Sequence, residues 1–598
     1  MAMFDTAHNR LSYSELLQPE LGYKLDFAVG LTYSLDLEAL LGVPVSFGLL
    51  DEADSELKRS PFYLLEAIRK SSDSVAIFCN AGGIALPQKI QSIYSLLENS
   101  VFEIKLSNRQ NFHPKLWFIK YTNDDGHSYI RLLVLSRNLT FDNSIDLCVA
   151  MQGEISRTKR NKNKPLADML TFVGGYADKT KKQKITELAD DILHVKAFDI
   201  EHPFEDYEFL PLGISGYDKE KTKLFNIKYD IFIVSPFLSD DVINELSKCP
   251  YNKVLVTRKA AVSPSVINSF NSVYITKDIL NDNEFGVKQD IHAKLYFAIT
   301  NEGNFLYIGS ANASHNAFHK NVEFLLKLKY KPNCVGFKTF FSDFIPDENC
   351  PYEKIEAAPE KIPADAVQDA IDKAFKEAIY ALKGAKVVAS GESYDIQVES
   401  KELKTEETVK IAPLQRQDLL QALLPQTLLK GMLLRELSEF YILWVQGQKI
   451  VIKIETKGIP AERDNAIYKS IINTKTKFLS YVSFMLSEDY AAGALEESEY
   501  LRLMQSDENE SANVPVFAAV YEKMLKVVHQ NPARLKEVAD VIKRLDKDIV
   551  GNEFLEMYKQ FELAARRLKN DTKGFSKSHC QSDSSCVSRR SKQNTACR

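Results

Sequence analysis

The feature that most constrains this chain is a short motif that occurs twice. Phe112-His113-Pro114-Lys115-Leu116-Trp117-Phe118 and Ile291-His292-Ala293-Lys294-Leu295-Tyr296-Phe297 share one order: an apolar residue, His-x-Lys-Leu, then two aromatics. A Ser-x-Asn follows each copy, as Ser136-Arg137-Asn138 and Ser310-Ala311-Asn312. The copies stand a whole domain apart, so the repeat unit is a domain and not one turn of a solenoid. Two matched His/Lys/Asn sets predict one site assembled from two similar halves. In an extended segment residues i and i+2 face the same way. His113 then shares a face with Lys115, His292 with Lys294, Ser136 with Asn138, and Ser310 with Asn312.

The stretches around the motifs carry an α/β rhythm. Residues 24–50 read as β-rich with a short helical middle, and 54–70 as a helix. Ser74 to Cys79 is a short apolar run of the kind buried in a parallel or mixed sheet. A helix over 88–98 and strands at 101–106, 114–120 and 129–135 follow. The second half repeats this with a strand at 229–234, a helix at 240–247, a strand at 253–257, a helix near 265–269, and strands at 272–275, 293–299 and 305–308. From residue 356 the composition shifts. The segment 364–383 reads as a helix, 394–398, 408–411 and 449–454 as strands around a helical 415–443, and 461–568 as helical. Asn531 and Pro532 give a helix-start signal ahead of Leu535, Val538, Val541, Ile542 and Leu545. The expected domains are 1–175, 176–355 and a strand-containing then helical module over 356–568. Residues 569–598, polar, Ser-rich and basic, are expected to be disordered.

With 45% hydrophobic and 26% charged residues, the 598-residue chain has the composition of a soluble globular protein. No apolar run of membrane-spanning length exists, and the N-terminus lacks a basic-then-apolar leader pattern, so a cytoplasmic location is the default. The eight cysteines form no CxxC pair; Cys79, Cys148, Cys249, Cys334 and Cys350 are expected to be free and mostly buried. A net charge of −5 argues against a chain coated for nucleic acid but leaves room for a local basic cleft. One candidate is Arg157, Lys159, Arg160, Lys162 and Lys164, five cations within eight residues. No GxxxxGK[ST] exists, so the chain carries no P-loop ATPase. His127, His194, His315 and His319 read as ordinary structural histidines, and Trp117 and Tyr296 as core.

Two histidines, two lysines and two asparagines permit phosphoryl chemistry without a metal or other cofactor. An imidazole nitrogen can attack phosphorus, and a second imidazole can protonate the leaving oxygen and then activate water. Lysines and asparagines can hold the non-bridging oxygens as charge develops.

The pattern resembles the phospholipase D superfamily, whose mark is a duplicated His-x-Lys followed by Gly-Ser-x-Asn. The second copy fits closely, with Gly309-Ser310-Ala311-Asn312 and then Asn321-Val322-Glu323. The first has Leu135 in place of the glycine. The family's aspartate five residues after the lysine is missing from both copies, where Lys120 and Ile299 stand. The tyrosyl-DNA phosphodiesterase branch shares that departure. The resemblance covers roughly residues 25–330 and implies two similar phospholipase D-like lobes. It also implies His113 as nucleophile, His292 as general acid and base, and Lys115, Lys294, Asn138 and Asn312 as phosphate ligands. Asp146 and Glu323 would orient the imidazoles, with Ser136 and Ser310 as further ligands and Arg137 as an added phosphate contact. The implied activity is a metal-independent phosphodiesterase, with a DNA or RNA nuclease favoured. Such nucleases of bacterial anti-phage systems are in some cases paired with a helicase or translocase ATPase; here 356–568 would dock a partner or a second copy. The competing expectations are phospholipid hydrolysis and an inactive nucleic-acid-binding scaffold.

Overall fold

Two runs of uninterrupted apolar residues, Val75-Ala76-Ile77-Phe78-Cys79 and Ile231-Phe232-Ile233-Val234, are buried along their whole length. Strands buried on both faces belong in the middle of sheets covered on two sides. That is where both lie in the computed structural model, which describes residues 13–47, 61–107, 110–140, 146–277, 291–348, 350–359, 366–487 and 513–578.

The first sheet contains β1 (Tyr23–Leu31), β2 (Val75–Asn80), β3 (Val101–Ile104), β4 (Leu116–Asn123), β5 (Ser128–Leu135) and β6 (Cys148–Glu154) in the order β3-β2-β1-β4-β5-β6. The second contains β7 (Phe204–Leu212), β8 (Asp230–Val234), β9 (Lys253–Thr257), β10 (Ser272–Thr276), β11 (Leu295–Thr300), β12 (Gly303–Gly309), β13 (Glu323–Tyr330) and β14 (Tyr352–Ile355). Its order is β14-β10-β9-β8-β11-β12-β13-β7. Six consecutive strands of the second sheet, β10 to β13 across it, thus repeat the order of the first. In both, the three strands on one side pair parallel and the rest pair antiparallel. β4 and β11, the strands that follow His-x-Lys, occupy equivalent central positions.

One face of each sheet meets the other in a common core. Val29, Phe78, Phe118 and Leu132 from the first join Phe232, Phe297, Leu306 and Leu326 from the second, with Leu166, Leu170 and Ile192 from the helices Lys164–Gly174 and Lys179–Leu193. Each fully buried Leu, Ile or Phe contributes about 1.5–3 kcal/mol, so a cluster of this size fixes the two sheets against each other. The sheets also touch through backbone. Phe112 bridges Val322 in parallel, with His113 N donating to Val322 O and Val322 N to Asn111 O.

Two small sheets follow. β15 (Leu382–Ser390), β16 (Ser393–Ser400), β19 (Gln426–Met432) and β22 (Thr456–Lys457) form one; β17 (Lys410–Pro413), β18 (Gln421–Ala422), β20 (Phe440–Val445) and β21 (Gln448–Lys453) form the other. They dock on the β3 side of the first sheet. Buried Glu103 accepts from the backbone N–H of Gly82 and of Lys453, and burial pushes its carboxyl up to about 7. Glu98 accepts from Arg463 at 2.7 Å and from Ser438 and Glu439 N. Residues through Arg463, apart from 53–63, form one compact unit. The other unit is Ala53–Tyr63 with Asp464–Arg598; in it the helices Lys475–Leu486, Asn513–Gln530, Leu535–Ile542 and Asn552–Ser578 predominate among the described residues.

Several expectations are corrected. The segment 415–443 is not helical: it supplies β18, β19 and β20, and its leucines alternate between core and solvent instead of lining a helical stripe. The helix expected over 88–98 is a 3-10 turn at Ser92–Leu97. The helix expected over 54–70 runs Pro61–Ser71 among the described residues, and part of its expected start lies outside them. Asn531 and Pro532 do open a helical stretch, with buried Leu535, Val538 and Val541 on it; it begins as a 3-10 turn, Pro532–Arg534, and Asn531 makes no side-chain cap bond. Residues 569–578, expected to be disordered, continue the last helix, which holds no proline and gains one hydrogen bond per added residue; residues 579–598 lie outside the described set. Cys79 is buried as expected, whereas Cys334, in the turn after β13, is exposed.

Candidate active site

His113 and Lys115 sit just before β4, and His292 and Lys294 just before β11. The leucine and aromatics after each lysine drive this placement. Leu116, Trp117, Phe118, Leu295, Tyr296 and Phe297 are all buried as strand residues, which anchors the preceding extended segment at the sheet end. Ser136 and Ser310 lie at the ends of the neighbouring β5 and β12, so each Ser-x-Asn comes beside its His-x-Lys.

Glu323, the first residue of β13 and fully buried, is the hub. Its Oε2 lies 2.8 Å from His113 Nδ1 and accepts a hydrogen bond from Ser310 Oγ; its Oε1 accepts from Asn321 Nδ2 at 3.2 Å. The carboxylate of the second repeat therefore holds the imidazole of the first. With Nδ1 donating to Glu323, the lone pair of His113 is on Nε2, and Lys115 Nζ stands 3.1 Å from that nitrogen and 3.1 Å from His113 O. Lys294 Nζ makes the matching contact to His292 O. In the first repeat Ser136 Oγ donates to Asp146 Oδ1 at 3.0 Å, the counterpart of Ser310 on Glu323.

The electrostatics join the halves. Burial is the largest influence on His113 and pulls its pKa down to about 4; Glu323 pulls it up, while Lys115 and Lys294 add to the fall. An ion pair with Glu323 alone would raise it, so burial and the two ammonium groups win, and the ring is neutral at pH 7. Lys115, 2% exposed, is held well below an ordinary lysine by burial and by Lys294, against the pull of Glu323 and Asp146. Charges from both repeats thus act on one another within one site.

Asn312 is buried, and its Oδ1 has no hydrogen-bond partner among the protein atoms. Asn138 Oδ1 accepts from Tyr33 N at 3.3 Å. Arg137 points elsewhere: it donates to Thr140 O and lines a small pocket with Tyr13, Gly30 and Trp117. In the basic run, Lys159 is bonded to Asp190, Lys162 to Asp206 and Lys164 to Asp168, while Arg157 and Arg160 are exposed. Lys120, where the family places aspartate, bridges Asp26 and Asp191.

Three further residues shape the site. Tyr33 packs its ring 5.0 Å from that of His113, and Lys115 Nζ stands 5.9 Å from its centre. Asn80 Oδ1 accepts from Phe112 N at 2.8 Å, and Asn321 Oδ1 from Asn111 N at 3.2 Å, so both fix the strand leading into His113. Asn321 was visible beside Glu323 in the motif; Tyr33 and Asn80 carry no local signal, since only tertiary pairing brings β1 and β2 to this end.

The arrangement defines a class: paired His/Lys/Asn sets at equivalent ends of two sheets of matching strand order. The chain is similar to solved structures of the phospholipase D superfamily. Yeast tyrosyl-DNA phosphodiesterase aligns over 54% of this chain and 87% of its own at 12% identity, with a TM-score of 0.34. Phosphatidylserine synthase of Haemophilus influenzae aligns over 60% and 89% at 11% identity and a TM-score of 0.33. A phospholipase D family member, Nuc from Salmonella typhimurium, aligns over 21% and 84% at 14% identity and a TM-score of 0.17. No family model matches the chain, and no curated protein sequence does. Among the described residues no helix is long and apolar enough to cross a membrane.

Proposed function

We propose that the protein is a phosphodiesterase that works through a phosphohistidine, with nucleic acid as its substrate. The observation that carries this reading is the chain Ser310–Glu323–His113, which directs the lone pair of a neutral, partly buried imidazole toward Lys115. A neutral ring with its second nitrogen anchored is a nucleophile aimed in one direction. His113 Nε2 attacks phosphorus, and the bond from phosphorus to the leaving oxygen breaks as His292 supplies that oxygen with a proton. His292 then takes a proton from water, the resulting hydroxide attacks phosphorus, and the P–Nε2 bond breaks to release a phosphomonoester. Lys115, Lys294, Asn138 and Asn312 hold the non-bridging oxygens; Asn312 does so through its NH2, and its Oδ1 has no protein partner that would hold the amide in the opposite orientation. By the internal repeat, Asp146 is assigned to His292 as Glu323 serves His113.

Nucleic acid is favoured over lipid by the absence of both aspartates and by the basic run ahead of the helix Lys164–Gly174. A role beside a helicase or translocase ATPase in anti-phage defence rests on the motif resemblance.

The test is direct. Full-length protein is incubated with single- and double-stranded DNA, RNA and phosphatidylcholine vesicles, each with and without EDTA. We expect cleavage of nucleic acid that survives EDTA and vanishes in His113→Ala. Lipid turnover alone would sink the nucleic-acid assignment. In His292→Asn, phosphate is expected to accumulate on His113; its appearance on His292 in the wild type would reverse the two roles.

A further inference from the structure

Outside the cleft, three side chains that could share one ion converge on the surface. Asp241, in the first turn of the helix Asp240–Leu246, faces the short helix His315–His319, which follows the Asn312 loop. One ligand atom from each of Asp241, His315 and His319 lies within 4.8 Å of the others. His315 Nδ1 is 2.6 Å from Asp241 Oδ2, and the two imidazoles, one helical turn apart, lie nearly parallel with centroids separated by 4.6 Å. We propose that Asp241, His315 and His319 form a binding site for a divalent transition-metal ion of the zinc class, and that the ion staples the loop behind Asn312 to the helix Asp240–Leu246.

Two imidazoles and one carboxylate match the donors zinc takes, and three protein ligands leave a position for water. The nitrogen donors select against magnesium and calcium, which take oxygen. The site is open to solvent, since the side chains of His315 and Asp241 are 47% and 52% exposed. It is also built on a fixed base. Leu238 bridges Ala313, Ser239 N donates to Ala313 O at 3.0 Å, His315 N to Ser239 Oγ at 2.7 Å, and Ala313 N to Ser235 Oγ at 2.9 Å. These bonds hold both ligand-bearing segments in register before any ion arrives. The neighbouring cation, Lys219, is bonded to Glu245, which offsets its charge. Binding requires that the His315–Asp241 hydrogen bond open to admit the ion between them. The proposal is independent of the phosphodiesterase reading, and the ion takes no part in the phosphoryl steps.

The experiment is zinc titration of the full-length chain against a colorimetric chelator, compared with His315→Ala/His319→Ala and with Asp241→Asn. Free thiols can take up zinc, so the reading is the difference. The wild type is expected to hold one more ion than the double variant, and Asp241→Asn to bind that ion at least about 10-fold more weakly. Equal stoichiometry and affinity in all three would overturn the proposal. A second measurement needs no substitution. Zinc should protect His315 and His319 of the wild type from diethyl pyrocarbonate, read by peptide mass spectrometry, and unchanged modification of both would overturn the proposal as well.

Discussion

Replacing Glu323 by glutamine keeps the shape of the side chain and removes its charge. In the wild type the carboxylate takes three donors: His113 Nδ1, Ser310 Oγ and Asn321 Nδ2. An amide has one acceptor oxygen, and its NH2 must face at least one of those donors in a position with no exposure to water. A charge-assisted hydrogen bond is worth about 1.5–3 kcal/mol, and the imidazole also loses the group that fixes its tautomer. The equivalent carboxylate-to-amide change in a Ser-His-Asp triad lowers kcat about 10⁴-fold. We therefore expect Glu323→Gln to lose about 10³–10⁴ in kcat, equivalent to ~4–5.5 kcal/mol of barrier. KM should hardly change, because Glu323 acts through His113. The assay is hydrolysis of bis(p-nitrophenyl) phosphate across pH, which does not presuppose the natural substrate. Glu323 is the group that raises the His113 pKa, so without it the pKa falls further below about 4. An acid limb set by His113 must then move to lower pH. A variant that folds, melts as the wild type does and keeps its rate, or one whose acid limb moves upward, would refute the reasoning.

Three more outcomes follow from the same geometry. The His113 pKa falls from 6.5 when unfolded to about 4 when folded, so the unfolded chain binds the extra proton first. Stability should drop by about 3 kcal/mol as pH falls from 6.5 to 4, and denaturant titrations of His113→Gln should lack that portion. A Cβ on Gly309 would sit 2.1 Å from Phe324 O, backbone next to Glu323; Gly309→Ala should cost about 1–3 kcal/mol in thermal melts and lower activity with it. For nucleic-acid binding, Arg157→Ala and Arg160→Ala should each flatten the log–log salt dependence of affinity by about 0.7–0.9. Lys164→Ala, whose ammonium is already bonded to Asp168, should flatten it less.

The duplicated motif made the site legible because its signals are local: the lysine, its leucine and the aromatics behind it are enough to place an extended segment at a sheet end. The α/β class was legible from Val75–Cys79 and Ile231–Val234 for the same reason. Residues 415–443 misled because leucine and glutamine favour helix in isolation, whereas pairing of β19 with β16 and of β20 with β17 and β21 decides the outcome. Tyr33 was invisible because its role depends on β1 lying beside β4, and no spacing along the chain encodes that. The crossing of Glu323 to the other repeat was out of reach too: the sequence marks Glu323 as a carboxylate that follows Asn312, but not whose imidazole it holds.

That crossing has a consequence for fragments of this chain. A piece ending before β13 would keep Phe112 to Phe118 and Ser136 to Asn138 intact and would still match the motif by eye. It would lack Glu323, and it would lack Val322, whose backbone takes the N–H of His113. Its histidine would be free to rotate, to swap tautomers and to titrate like any surface ring. The second half therefore carries the first half's aiming device, and damage mapped to the second repeat should appear chemically as a fault in the first.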